Sequence, residues 1–350
     1  MASPPVSDEL LTSLLRDVSR SFYLTMRMLP SPVRRQISLA YLLARTTDTI
    51  ADTEMADVSS RLQILAALRE RIRGRDSAPL PLAQLRGRQG LPAERMLLER
   101  CEDSLRLLLE LDQADGRLVR DVLEVIISGQ ELDLKRFGAA AGDHIVALQT
   151  AEELDDYTYR VAGCVGEFWT KMCAVHLWPG AGLEGESLTR QGVRFGKGLQ
   201  LVNILRDLPQ DLRKGRCYVP WQLLTAAGLA PTDLLSAQNE ARFRPAYDPL
   251  LALAEGHLAA GWEYTGSLPK RQVRLRLACA WPVLIGARTL RKLRQENVLD
   301  ATRRVKVSRP EVRALILRSV FLYPFARAWD GQFGKEMELI SGPVCSNNKV

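Results

Sequence analysis

Residues 41–53 read YLLARTTDTIADT, and this stretch decides both the expected fold and the expected chemistry. Apolar residues recur here, and in the residues just before it, at the three- and four-residue spacing of an α-helix. Asp48 and Asp52 stand four positions apart, so both carboxylates should project from one face of that helix. A buried carboxylate needs a counter-charge, because an unpaired buried charge is costly. Mg²⁺, which prefers oxygen ligands, would supply one.

A second aspartate pair lies in residues 203–220, which read NILRDLPQDLRKGRCYVP. Asp207 and Asp211 repeat the four-residue spacing among several arginines. One such pair is most often a solvated helix face, but two pairs, each in an apolar helix and beside arginine, indicate a common ligand. A diphosphate fits, held by Mg²⁺ on one side and by guanidinium groups on the other. Pro209 should end or kink the helix near Asp207. Asp207 is therefore predicted to be the firmer ligand, with Asp211 and Arg216 on a mobile segment ordered by substrate.

The helical spacing of apolar residues extends along nearly the whole chain, and strand-like alternation is essentially absent. We therefore predict an all-α protein of about ten helices. No linker or internal repeat divides the sequence, so residues 1–350 should form a single domain, with a core at about 7–330 and a flexible tail at 331–350. A helical bundle of this size can hold a central substrate cavity. The helices are expected near residues 7–29, 31–53, 57–73, 93–112, 115–136, 150–178, 185–208, 220–227, 245–266, 270–297 and 309–330.

Composition narrows the classes of function. The net charge of +7, from 48 basic and 41 acidic residues, suits an anionic substrate or an anionic membrane surface. No zinc-finger or RNA-binding signature accompanies it, so no nucleic-acid partner is expected. The six cysteines form no CxxC pair and no signal peptide opens the chain, which predicts reduced thiols in the cytoplasm. The three histidines are far apart in sequence, which argues against a histidine metal site.

Other classes of site and of membrane protein find no support in the sequence. No apolar run approaches the ~20 residues that a membrane-spanning helix needs, so no transmembrane segment is expected, although peripheral contact with a membrane stays open. There is no strand followed by GxGxxG, no Walker loop and no Ser–His–Asp arrangement. The residues alone thus indicate a helical, Mg²⁺-dependent enzyme that acts on an apolar diphosphate.

Two further stretches are less specific. Residues 19–22 read SRSF and could donate hydroxyl and guanidinium hydrogen bonds to a phosphate, or form an ordinary polar surface. Residues 157–169 read YTYRVAGCVGEFW and place Gly163 and Gly166 in a helix, where glycine costs about 1 kcal/mol. Close packing of helices is the commoner reason for such glycines, and a ligand lying against bare backbone is the alternative.

Together, SRSF, YLLARTTDTIAD, YTYRVAGCVG and LQLVNILRDLPQDLRKGRCYVP resemble the squalene/phytoene synthase family over about residues 10–320. These enzymes join prenyl diphosphates head to head and have an all-α isoprenoid-synthase fold. The resemblance implies an Mg²⁺-dependent ionisation that gives an allylic cation, then a cyclopropane, and then a rearranged product. Squalene synthases quench the last cation with hydride from NADPH, whereas phytoene synthases lose a proton.

The resemblance also implies a role for individual residues. Metal ligands are expected at Asp48, Asp52, Asp207 and Asp211. Positions that take part in catalysis are expected at Tyr41, Tyr157 and Arg206. Positions that line the diphosphate sites or the prenyl cavity are Ser19, Arg20, Phe22, Arg45, Val161, Val165, Gln200, Asn203 and Arg216. A basic segment at 303–312, RRVKVSRPEV, loosely resembles one that contacts NADPH, which assigns Lys306 and Arg309 to cofactor binding; a solvated helix start explains these two residues about as well.

The expected product is squalene, made from two farnesyl diphosphates with Mg²⁺ and NADPH. The DTIAD form favours squalene synthases, whereas residues 203–220 look closer to bacterial phytoene synthases and hopanoid-pathway enzymes. The alternatives are therefore a phytoene synthase that uses two geranylgeranyl diphosphates without NADPH, or a presqualene diphosphate synthase. A non-catalytic relative acting as a binding or assembly protein is the rival from another class, but such relatives lose aspartates, and all four stand here.

Overall fold

A computed structural model describes residues 10–19, 23–53, 56–82, 85, 91–179 and 185–338 of the chain. Within these ranges the protein is almost entirely helical, and the only strands are two short parallel ones. No helix in the same ranges is both long enough and apolar enough to cross a membrane. The prediction of an all-α fold is confirmed.

Contacts between residues divide the chain into two compact units. The first unit comprises residues 1–139 and 159–193, and the second comprises residues 140–158 and 194–350. Each unit therefore draws on two separate segments of chain. The single domain expected for residues 1–350 stays a prediction.

The first unit is built around a helix that carries the first aspartate pair. A π-helix, Leu10–Leu14, opens it, and a second, Tyr159–Gly163, interrupts the helix expected at 150–178. The single helix expected at 93–112 is two helices, which meet at Arg100. The α-helices of this unit are α1 (Leu15–Ser19), α2 (Tyr23–Met28), α3 (Ser31–Ala51), α4 (Val58–Arg73), α5 (Pro92–Glu99), α6 (Cys101–Leu109), α7 (Gln113–Arg136) and α9 (Cys164–Leu177).

The apolar side of α3 forms much of the core of this unit. Leu39, Leu42, Leu43 and Ile50 are completely buried, where α3 packs against α4, α6, α7 and α9. Their removal from water is the main stabilising contribution of the helix. The opposite side of α3 is the one that carries the charged residues.

Helix α9 and the first turns of the helix Glu186–Arg213, which also belong to the first unit, touch backbone to backbone. A Cβ atom placed on Gly166 of α9 would lie 1.8 Å from the carbonyl oxygen of Gly192, and one on Gly192 would lie 2.6 Å from the hydroxyl of Thr170. Only glycine allows this approach. The expectation that Gly166 serves close helix packing is confirmed.

We predict that Gly166→Ala destabilises the protein by about 3 kcal/mol, because backbone must move to admit the methyl group. Gly266→Ala is the matched control, since Gly266 also lies in a helix but has open space around its Cα. Alanine should leave stability unchanged or raise it there. Urea unfolding measures both, and equal midpoints for the two variants would contradict the packing argument.

The second unit contains the second aspartate pair and both strands. The strands are β1 (Val146–Ala147) and β2 (Arg216–Cys217), and two 3₁₀ turns cover Pro231–Leu235 and Ala237–Asn239. Its helices are α8 (Ala151–Thr158), the part of α10 (Glu186–Arg213) after residue 193, α11 (Trp221–Ala226), α12 (Glu240–Ser267), α13 (Val273–Gln295), α14 (Arg309–Leu322) and α15 (Ala326–Glu338).

The last helix corrects the expected start of the flexible tail. We expected the tail from residue 331 onward, but α15 continues to residue 338, and Phe333 packs on Trp262 at 6.0 Å between ring centroids. Glu336 is almost fully buried and accepts hydrogen bonds from Arg288 of α13 at 2.8 and 3.1 Å. A buried ion pair with two hydrogen bonds and stacked rings fix this segment to the unit. Residues 339–350 of the expected tail lie outside the described residues.

Candidate active site

The first aspartate pair lies on one face of α3. Tyr41, Arg45, Asp48 and Asp52 follow one another at spacings of four, three and four residues, which places them in a row along the helix. Asp52 caps the C-terminal end of α3, with its backbone N–H bonded to the Asp48 carbonyl at 2.9 Å. The prediction that Asp48 and Asp52 share one face of a helix is confirmed, and the roles of these residues stay predictions.

Arg45 balances the charge of this face. Its Nη1 donates to the carboxylate of Asp48, and its Nη2 donates to Oε1 of Glu94 on α5 at 2.6 Å. The guanidinium therefore holds one carboxylate on its own helix and one on a neighbour. Because Arg45 is only 24% exposed, these bonds form in a partly desolvated setting, where charge-assisted hydrogen bonds are strong.

The first pair has the character of a cation site. Partial burial, and then the nearby charge of Asp52, raise the pKa of Asp48 to about 6, although Arg45 acts in the opposite direction. Two carboxylates of this face, Asp48 and Asp52, lie near one arginine, which also bonds Glu94, so negative charge is in excess here. A divalent cation would relieve that excess, so the donor set fits Mg²⁺.

The second aspartate pair lies on α10, which does not end at Pro209. The helix continues to Arg213, so an end near Asp207, one of the two outcomes predicted for Pro209, is wrong, and a kink there stays a prediction. The physical reason is a hydrogen bond from outside the helix: the hydroxyl of Tyr247 donates to the carbonyl oxygen of Leu205 at 3.0 Å. That carbonyl is the one that residue 209 would bond if it carried an N–H.

Helix α10 separates its apolar and polar residues cleanly in the second unit. The leucines at 201, 205, 208 and 212 are buried. On the accessible side, the spacing of three and four residues aligns the predicted site residues, which are Gln200, Asn203, Asp207 and Asp211. The unbroken helix thus extends the same-face argument to the second pair.

Asp207 is held by two arginines. Arg206 donates to it through Nε at 2.9 Å and Nη2 at 2.5 Å, and Arg304 donates through Nη2 at 2.8 Å. Burial alone would raise the pKa of Asp207, but these two guanidinium groups hold it below its usual value. The carboxylate is therefore held in its ionised form.

The segment after α10 is paired, not loose. The N–H of Val146 donates to the Gly215 carbonyl at 2.8 Å, and that of Leu148 donates to the Cys217 carbonyl at 3.0 Å. Gly215 makes the turn with φ of +77°, and a Cβ there would lie 2.3 Å from the carbonyl oxygen of Ala141. Strand pairing thus fixes Arg216, and the prediction of a mobile segment is wrong.

The remaining predicted residues fall in several places. Tyr157 is buried on α8 and stacks on Tyr218 at 4.8 Å between centroids. Val161 lies in the second π-helix and Val165 on α9, both half-buried. The hydroxyl of Ser19 donates to the carbonyl of Leu15 at 2.5 Å. Their assigned roles stay predictions.

Two assigned residues, Arg20 and Phe22, lie outside the described residues. The two proposed for cofactor binding, Lys306 and Arg309, are exposed. Arg309 is the first residue of α14. Arg304, in the segment that precedes α14, forms an ion pair with Asp207.

Each aspartate pair would supply two carboxylate ligands. In the part of the chain that the structure describes, no three Asp, Glu, His or Cys side chains converge on a common metal position. A site of two carboxylates completed by water and phosphate oxygens is the arrangement that Mg²⁺ takes in many phosphate-binding enzymes.

Sequence reasoning missed three residues of these sites: Glu94, Tyr247 and Arg304. Arg304 belongs to the basic segment at 303–312, but adjacent arginines there gave no means of choosing between them. Glu94 and Tyr247 carry no local signal, because each acts on a residue more than 40 positions away.

Comparisons with known proteins identify the family of this chain. The sequence profile of the squalene/phytoene synthase family matches residues 15–311. The chain belongs to the squalene/phytoene synthase family. It is a prenyltransferase of the class that condenses prenyl diphosphates head to head.

Relatives within the family differ in name. The presqualene diphosphate synthase of Rhodopseudomonas palustris is 31% identical over 254 residues, covering 73% of this chain and 77% of the relative. The phytoene synthase of Thermus thermophilus is 36% identical over 178 residues, or 51% of this chain and 56% of the relative. The chain spans only 38% of a bifunctional lycopene cyclase/phytoene synthase of Pyrenophora tritici-repentis, at 29% identity and 68% coverage of this chain.

Solved structures share the fold. The complex of TcSQS with the ligand E5700 superposes with a TM-score of 0.75 at 21% identity, covering 96% of both chains. The squalene synthase HpnC of Alicyclobacillus acidocaldarius gives a TM-score of 0.60 at 20% identity, covering 83% of this chain and 94% of that one. The helical architecture is therefore that of squalene synthases.

We predict that Arg304→Gln raises the pKa of Asp207, because it removes one of the two cations that lower it. The pKa is read from the carboxyl carbon resonances of selectively labelled aspartate. Arg303→Gln is the control, since Arg303 acts on the pKa of Asp300 instead. An unchanged Asp207 titration in Arg304→Gln would contradict the ion pair.

Proposed function

We propose that this family member condenses two farnesyl diphosphates head to head, through presqualene diphosphate, to squalene, with Mg²⁺ and NADPH. One observation carries the proposal: each of two helices presents an aspartate pair on its accessible side, with an arginine bonded to one aspartate of the pair. This combination of carboxylates and guanidinium groups suits a metal-bound diphosphate.

Mg²⁺ would be held by Asp48, Asp52, Asp207 and Asp211, and when bound it would neutralise the charge that develops on the departing diphosphate. The arginines of the same faces contribute fixed donors. Arg45 and Arg206 are held beside the aspartates by their bonds to Asp48 and Asp207, so they would reach phosphate oxygens by exchanging a carboxylate partner for a phosphate.

The apolar residues have the complementary task. A carbocation survives only where water is excluded, so the prenyl chains must lie in a dry cavity among helices. Val161 and Val165 are proposed as part of its wall. Tyr157, whose ring is buried and stacked on Tyr218, would stand near the reacting carbons as a rigid aromatic face that stabilises positive charge.

NADPH use rests on the basic segment before α14. Lys306 and Arg309 are exposed, and Arg304, two residues before Lys306, reaches Asp207 at 2.8 Å. This contact supports placing a phosphate-bearing cofactor beside the second aspartate pair. The names of the relatives favour two alternatives: presqualene diphosphate as the end product, or phytoene from geranylgeranyl diphosphate.

Product analysis separates these outcomes. The purified protein is incubated with farnesyl diphosphate and Mg²⁺, with and without NADPH, and the products are identified by mass spectrometry. We expect squalene only when NADPH is present. Presqualene diphosphate as the sole end product, or a preference for geranylgeranyl diphosphate, would contradict the proposal that the enzyme makes squalene from farnesyl diphosphate.

We predict that Asp207→Asn lowers kcat by about 10²-fold or more, because the metal site loses a charged ligand. Asp300→Asn is the matched control, because the Asp300 carboxylate bonds the backbone N–H and hydroxyl of Thr302 in its own turn and should leave kcat unchanged. Near-normal turnover by Asp207→Asn would contradict the metal assignment.

We also propose that this enzyme is cytoplasmic and contacts an anionic membrane surface through α14. Leu317 and Phe321, one turn apart on this helix, are 71% and 73% exposed, and Phe325 just beyond it is 57% exposed. We call these three residues the α14 apolar face. The rings of Phe321 and Phe325 lie 6.3 Å apart, which makes the face continuous.

Exposed basic residues surround this face and favour anionic lipid. Arg313 lies one turn before Leu317 on the same side of α14, and Arg327 follows Phe325. Lys270 is brought close because the hydroxyl of Tyr323 donates to its carbonyl at 2.6 Å. Apolar side chains with basic residues beside them suit an anionic membrane surface, because the apolar groups contact the lipid and the basic groups contact the charged headgroups.

We predict that Phe321→Glu reduces binding to vesicles of phosphatidylcholine and phosphatidylglycerol by about tenfold. The substitution removes an exposed apolar ring from the α14 apolar face, so the contact of that ring with the lipid is lost. Cosedimentation measures the bound fraction. Leu109→Glu on α6 is the matched control, since Leu109 is 68% exposed but lies elsewhere. Equal loss in both variants, or no dependence on phosphatidylglycerol, would contradict the proposal.

A further inference from the structure

We propose that Tyr247 is a positioning residue, which holds Asp207 and Asp211 on one helix face by supplying the hydrogen bond that Pro209 removes. The inference rests on the proposed function of these two aspartates as metal ligands. Tyr247 touches neither aspartate in this role and acts through the backbone of α10.

The need for such a residue follows from helix geometry. In an α-helix, each backbone N–H donates to the carbonyl four residues earlier, so residue 209 should serve Leu205. Proline has no N–H, and its ring crowds that same carbonyl. Leu205 is 1% exposed, which leaves little access for water. An unpaired buried carbonyl would favour opening of the helix at this turn.

Tyr247 meets this need from a different helix. It is completely buried on α12, and its hydroxyl lies 3.0 Å from the Leu205 carbonyl oxygen. Its ring packs against Phe243 at 5.3 Å between centroids and under the guanidinium of Arg244 at 5.7 Å. Burial raises the pKa of Tyr247, so that the hydroxyl keeps the proton it donates.

The bonded turn is the one that carries the second motif. Residues 205 to 209 enclose Arg206 and Asp207, and Asp211 follows half a turn later. If the helix opened at Leu205, the four-residue spacing would no longer align the two carboxylates. The Tyr247 bond therefore explains how a proline is tolerated between two residues that must share a face.

A double-mutant cycle can test this role, because the N–H that Pro209 lacks and the hydroxyl that Tyr247 supplies would serve the same carbonyl. Pro209→Ala restores a backbone N–H for Leu205, so Tyr247 should then be dispensable. Tyr247→Phe removes only the hydroxyl and should be harmful only while Pro209 is present. The double variant keeps the test decisive even if Tyr247→Phe alone folds poorly.

Tyr323→Phe is the matched control. It deletes the same kind of bond, from a tyrosine hydroxyl to a backbone carbonyl, at Lys270. Its effects should be the same with Pro209 or with alanine at that position, because it has no connection with α10.

Two measurements read the cycle. Hydrogen exchange of the peptide 203–213, followed by mass spectrometry, reports opening of α10 without any ligand. Calorimetric titration with inorganic diphosphate in saturating Mg²⁺ reports the site. In the Pro209 background, we expect Tyr247→Phe to speed exchange of this peptide by about tenfold and to weaken diphosphate binding by about threefold to tenfold. Pro209→Ala should restore both.

If Tyr247→Phe has the same effect with proline or with alanine at position 209, the two residues are not coupled and the inference is overturned. Coupled exchange with unchanged diphosphate affinity would overturn the positioning role. If the unaltered protein binds no diphosphate in Mg²⁺, the proposed function fails and the positioning role with it. The exchange cycle distinguishes that failure, because it needs no ligand.

Discussion

Negative charge on helices that are packed into a core has to be balanced, and the placement of arginines in this chain follows from that constraint. Helices α3 and α10 bury their leucines and carry two aspartates each on the other side. Asp48 is balanced by Arg45, and Asp207 by Arg206 and Arg304. Without these partners, the carboxylates would lower the stability of the helices that carry them.

The same pairs prepare the chemistry that we propose. A guanidinium that donates hydrogen bonds to a carboxylate can donate them to a phosphate instead, while the carboxylate becomes a ligand of a metal ion. Each charged group thus exchanges one partner of opposite charge for another. Arg45 illustrates this sharing, because it already divides its donors between Asp48 and Glu94 at 2.6 Å. Such exchange keeps the charge balanced as substrate arrives and places donors near the leaving group beforehand.

The sequence predicts well what depends on local spacing. The apolar period and the DxxxD pattern place Asp48 and Asp52 on one side of a helix, and the glycine at 166 indicates a close contact between helices, which the structure shows to be with Gly192. Both conclusions follow from neighbours in the same helix or from the absence of a Cβ atom.

Sequence reasoning fails where the deciding group is distant in the chain. The rule that proline ends a helix is sound locally, but the donor that replaces its N–H is a tyrosine 42 residues away from Leu205. Arg304 is separated from Asp207 by 97 residues, and the β1–β2 pairing that fixes Arg216 joins segments about 70 residues apart. Only tertiary packing selects these partners from many equivalent residues.

Calorimetric titration of inorganic diphosphate into the unaltered protein, Asp48→Asn and Asp207→Asn measures whether both aspartate pairs bind a diphosphate through Mg²⁺. We expect binding only in the presence of Mg²⁺, with affinity lowered at least about tenfold by each substitution. Equal binding without Mg²⁺, or unchanged affinity in either variant, would contradict it.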